Sequence, residues 1–126
     1  MSLWRREASE RLPELQRIIS SRLMDNPMML WIEFQSEFKR LCLHDSPPID
    51  LLARVWQYAK WCLAHGSPDV STAAALGFCE HLLDHPACAA VLPKIMDRSD
   101  FLSIRTLLDY HNTPAEVDTY LQTLWQ

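Results

Sequence analysis

The chain has 126 residues, of which 48% are hydrophobic, and a formal charge of −4. Length and apolar content suit one folded domain with its own core and exclude a disordered chain. The mild charge excludes the strongly basic surface of a nucleic-acid binder. With only two glycines, Gly66 and Gly77, the chain lacks both the turns of an all-β fold and a glycine-rich phosphate loop.

The first helix is predicted from about Ser9 to Leu23, with Leu12, Leu15, Ile19 and Leu23 on one face and Pro13 in its first turn. Trp4 falls before it. The arginines of this region, Arg5, Arg6, Arg11, Arg17 and Arg22, alternate with Glu7, Glu10, Glu14 and Asp25, the pattern of a solvated helix face. Asn26-Pro27 then pairs a preferred cap with proline at the first helical position. The second helix runs from Pro27 to near Leu43, with Met28, Trp31, Phe34, Phe38 and Leu41 inward and Glu33 and Glu37 on the opposite, exposed side.

Ser46-Pro47, Ser67-Pro68 and Thr113-Pro114 repeat the cap-proline signal, and Glu116 completes a capping box with Thr113. The third helix is predicted from about Pro48 to His65, with Gly66 as its C-cap. Its stripe of Leu52, Val55, Trp56, Ala59, Cys62 and Leu63 is widened by Leu51, Tyr58 and Trp61, which marks it as central. The fourth, Pro68 to about Leu83, is apolar nearly all round and therefore buried. Within it, Gly77 marks a close helix crossing. A short helix follows from Pro86 to Leu92, ended by Pro93. A sixth covers Asp100 to Tyr110. The last begins at Pro114, with Val117, Tyr120, Leu121, Leu124 and Trp125 on one face. No strand alternation, repeat or low-complexity linker divides the chain. The expected architecture is all-α: a single compact orthogonal bundle of about six or seven helices spanning 1–126.

Four cysteines, Cys42, Cys62, Cys79 and Cys88, sit among apolar residues without CxxC spacing. Together with a first apolar run broken by Arg and Glu, they point to reduced, buried thiols in the cytoplasm. No run approaches the roughly 18–20 apolar residues needed to span a bilayer. The sequence offers no motif for nucleophilic catalysis, so no catalytic residue and no cofactor are assigned.

Two local features bear on function. His81 and His85, four apart on a predicted helix and flanked by Cys79 and Cys88, are a candidate metal pair, although the spacing matches no standard zinc pattern. Against that stands the plain reading of core thiols and helix-end histidines. Glu80 is the one carboxylate inside an apolar helix. It is either a buried polar anchor, partnered by His81, a tryptophan indole or Arg54, or a side chain turned to water. Trp61, at the side of its helix, is a candidate partner anchor, with core packing the commoner role for tryptophan.

The runs Tyr58-Ala59-Lys60-Trp61-Cys62-Leu63, Gly77-Phe78-Cys79-Glu80-His81-Leu82 and Tyr110-His111-Asn112-Thr113-Pro114 resemble a bacterial family of small helical domains of unknown function. The resemblance implies an all-α fold, a bacterial cytoplasm and, by analogy with small stand-alone proteins near toxin–immunity loci, an immunity-like role. The leading expectation is a non-enzymatic protein-interaction module, adaptor or immunity-like, with Trp61 and Glu80 facing the partner. Residues 1–65 hold nine Lys/Arg against eight Asp/Glu and residues 66–126 three against eight, so a basic protein partner suits the acidic C-terminal half. The alternatives are a metal-binding protein using His81 and His85, and a structural homodimer.

Overall fold

Proline and side-chain caps set where most helices begin. The computed structural model describes residues 2–126, and among them the backbone forms nine α-helices, two 3-10 turns and no strand. The helices are α1 (Leu3–Arg11), α2 (Gln16–Ile19), α3 (Pro27–Cys42), α4 (Ile49–Leu63), α5 (Pro68–Gly77), α6 (Pro86–Ile95), α7 (Arg98–Ser103), α8 (Arg105–Leu108) and α9 (Pro114–Leu124); the 3-10 turns are Pro13–Leu15 and Cys79–His81. Asn26 Oδ1 accepts the Met29 N–H at 2.9 Å to open α3. Thr113 and Glu116 close the expected capping box on α9. The Ser46 signal is not used, because α4 starts at Ile49 behind Pro48. Asp97 and Asp100 form a second box on α7.

Three expected helices are divided. The residue before a proline is driven out of α geometry, so Leu12 (φ −130°, ψ 56°) ends α1 at Arg11, and Pro13 begins a 3-10 turn instead of sitting inside a longer helix. Trp4 thereby lies in α1, and its carbonyl accepts the Tyr58 hydroxyl at 2.7 Å. Leu23, expected inward, falls beyond the end of α2 and is 77% exposed. The predicted fourth helix stops at Gly77. Phe78 (φ −133°, ψ −62°) turns the chain, and the following 3-10 turn buries Phe78, Cys79 and Glu80 in succession. A straight helix would have spread those three residues over most of its circumference. The predicted sixth helix breaks at Ile104, which is buried. Pro93, expected to end its helix, lies inside α6, which continues to Ile95 and places Val91, Leu92 and Ile95 in the core. That burial offsets the backbone hydrogen bond proline forfeits.

One apolar cluster runs from Ala8 in α1 to Val117 in α9. Trp31 is its aromatic centre, with ring centroids 4.9 Å from Phe78, 5.3 Å from Tyr58 and 5.5 Å from Phe34. Polar ties pin the periphery. Arg54 on α4 donates to the Arg11 carbonyl at 3.0 Å and pairs with Glu14 and Asp50. Near the C-terminus, the Trp125 indole N–H donates to the Met96 carbonyl at 3.2 Å. No helix among the described residues is long and apolar enough to cross a membrane.

Candidate functional site

The α3–α5 pair forms the floor of the site. Ala73, Ala74 and Gly77 give α5 a face of minimal side chains, all buried, and α3 packs directly on it. A Cβ built on Gly77 would stand 2.8 Å from Trp31 Cβ and 3.4 Å from Met28 Sδ. That close approach brings the outer edges of the two helices together as a shallow groove of about 410 Å³, whose lining includes Met28, Ile32, Gln35 and Lys39 of α3 with Leu76 and His81. Gln35 Oε1 in this groove is buried without a hydrogen-bond partner, an acceptor left unsatisfied at a cost of about 1–3 kcal/mol.

On the other flank of α3 a second groove, about 580 Å³, lies between it and the segment running through α2. Ile18, Leu23, Met24, Met29 and Ile32 give its apolar lining, and Arg17 and Glu33 stand at its rim. Ile32 lines both grooves and is 54% exposed; Leu76 is 42% exposed. Ile32 lies off the Met28-Trp31-Phe34-Phe38-Leu41 stripe, and an apolar side chain off the core stripe was the sequence signal for this surface. No motif announced it, and neither Leu76 nor Leu23 reads as exposed from periodicity.

At one end of the α3–α5 groove lies a chain of titratable groups. Glu80, buried to 8% exposure, is hydrogen-bonded through Oε1 to His111 Nε2 at 3.0 Å. The His111 and His81 rings stack with centroids 4.7 Å apart and planes inclined 28°. His81 Nδ1 in turn lies 2.7 Å from Asp84 Oδ2. The 3-10 turn creates this arrangement by sending Glu80 inward while His81 stays at the surface. Glu80 is thus the buried polar anchor, and its partner is His111, thirty-one residues away, not His81, an indole or Arg54. Two hydrogen-bonded pairs, Glu80–His111 and His81–Asp84, thus meet only through the stacked imidazole rings.

The other expected site residues separate. His81 and His85 do not share a helix face: His81 closes the 3-10 turn, and His85 is the N-cap of α6, its Nδ1 accepting the Ala87 N–H at 3.0 Å. That bond ties the His85 ring to the first turn of α6. Cys79 and Cys88 are buried in the core. Among the described residues no group of three or more His, Cys, Asp or Glu side chains is placed to hold a metal ion. Trp61 is half-buried on the flank of α4, stacked on Tyr58 (6.0 Å, 12°) and close to His65 (5.0 Å); it is not part of either groove's lining.

No protein-family model, curated protein or solved structure matches the chain.

Proposed function

We propose that this chain is a protein-interaction module, of the adaptor or immunity-like kind, that acts by binding through the outer face of α3. The observation that carries the reading is Ile32. A β-branched apolar side chain stands more than half exposed between two shallow apolar grooves, with Leu23 and Leu76 exposed on either side. Contiguous exposed apolar surface of this kind marks interaction sites.

Met24, Met28 and Met29 border the same surface. Unbranched thioether side chains repack readily against a partner. The groove linings carry both signs, Arg17 and Lys39 beside Glu33 and Asp84, so this face does not itself require the basic partner that the acidic C-terminal half suits.

The test is affinity capture from the source cell with the wild type and an Ile32→Glu variant of equal helicity. A stoichiometric partner held by the wild type and lost by the variant supports the reading. Equal capture by both proteins overturns it.

A further inference from the structure

We infer that the occupant of the groove between α2 and α3 is a second copy of this chain, packed about a two-fold axis with α3 against α3. The inference rests on the reading of the α3 face as a binding surface and names its partner.

Charge carries the argument. Arg17 and Glu33 line the same groove, both exposed. Among the described residues neither makes an ion pair within 4 Å, although Arg17 lies near enough to Glu37 to help lower its carboxyl. An apolar groove framed by one unpaired cation and one unpaired anion is complementary to a surface carrying the same two charges exchanged. A two-fold axis supplies that surface, because it sets residue i against j and j against i. Arg17 of each copy then meets Glu33 of the other, twice over. A partner rim of uniform sign would face a like charge at one of the two positions.

Shape agrees with charge. Met29, Ile32 and Ser36 succeed one another at helical spacing on the outer side of α3, and Ser36 is exposed and small, which permits close approach of two helices. Leu23, 77% exposed at the groove's edge, gains an apolar environment only when another surface covers it. Rim ion pairs contribute little affinity, so the Arg17 and Glu33 pairs set register while Leu23, Met29 and Ile32 supply the burial.

Sedimentation velocity from low to high micromolar concentration tests this. The wild type is expected to sediment as a dimer at the upper end, and Ile32→Glu, with unchanged helicity, as a monomer. Arg17→Glu alone and Glu33→Arg alone should each weaken self-association roughly tenfold by placing like charges together, and an equimolar mixture of the two variants should restore it as a heterodimer. That rescue arises only between copies.

A wild type that stays monomeric throughout, or a dimer indifferent to Ile32→Glu, overturns the inference. If the monomer still captures a cellular partner through Ile32, the second copy alone is refuted and the binding face stands. If capture is also indifferent to Ile32, both fall.

Discussion

The Cα of Gly77 lies so close to Trp31 that a methyl group there would sit 2.8 Å from the tryptophan Cβ. The clash would be with the root of a side chain whose ring is packed between Phe78 and Tyr58, so no rotamer change relieves it. Gly77→Ala therefore pits a helix-propensity gain of up to about 1 kcal/mol against overpacking of about 1–3 kcal/mol. Overpacking prevails, since Gly77 is the last residue of α5 and little propensity is realised at a helix end. The expected result is a loss of roughly 1–2 kcal/mol in urea unfolding. Gly66→Ala is the control, because a Cβ there meets nothing within 4 Å; equal effects at the two sites would refute the close-approach account.

The Glu80–His111 contact ties the α8–α9 connection to the turn after α5. His111→Ala leaves a buried carboxylate without its partner, which should cost about 1–2 kcal/mol. Glu80→Leu with His111→Leu removes both polar groups and should lie closer to wild type than His111→Ala does. A double-mutant cycle on thermal unfolding reads the coupling directly. A coupling indistinguishable from zero would mean that Glu80 is satisfied by solvent instead.

These two contacts show how legible the chain was. Gly77 declared itself in the sequence, because a glycine in an apolar helix has few uses besides close packing. The acidic character of Glu80 in an apolar run was equally visible, but its partner was not: His111 is distant in sequence, and only the turn at Phe78 sends Glu80 inward toward it. Helix identity was readable from periodicity and from the prolines that open helices at Pro27, Pro68 and Pro114, although the Ser67 side chain makes no cap hydrogen bond. Helix ends were not: Pro13 fits the first turn of a helix as readily as it ends one at Leu12, and the breaks at Phe78 and Ile104 follow from local backbone geometry and burial with no proline beside them. His81 and His85 lost their shared helix face for that reason, since the expected helix ends at Gly77. The exposure of Ile32 was missed because periodicity ranks residues by how well they fit the stripe, and Ile32 lies off it.

The Arg54 clamp should make stability depend on acid. Hydrogen bonding from Arg54 holds the Glu14 carboxyl at about 2, against an ordinary 4.5. A carboxylate depressed in the folded state contributes stability that is complete above the unfolded value and fades as pH falls through the folded one. The stability gap between wild type and Glu14→Gln should thus be constant from neutral pH down to about 4.5 and close as pH approaches about 2. Glu14 is largely solvated, so the gap at neutral pH is small, within the range of about 0–1 kcal/mol for exposed pairs, and it shrinks with added salt. Urea midpoints for both proteins across that pH range check this, and a gap that widens on acidification would contradict the assignment.

The four thiols offer the last measurement. All are free and buried. Burial pushes Cys62 up to about 11 and Cys79 up to about 12, and a hydrogen bond with the Cys88 sulfur raises Cys42. Alkylation requires the thiolate and physical access; access is denied at all four while the core is closed, and the thiolate is disfavoured at Cys42, Cys62 and Cys79, whereas the hydrogen bond from Cys42 lowers Cys88. At about pH 8, iodoacetamide should therefore modify the native chain at least roughly a thousandfold more slowly than the unfolded chain, since exposure needs an opening of several kcal/mol. Cys62 and Cys79 lie beside the Trp31 aromatic centre and should react only by global unfolding. Their alkylation rates should then rise as the unfolding free energy falls across the Gly77 and His111 variants. A native-state reaction at Cys79 that ignores those variants would mean that the turn from Phe78 to His81 opens on its own, and that Glu80 is a latch on a mobile segment instead of an anchor in the core.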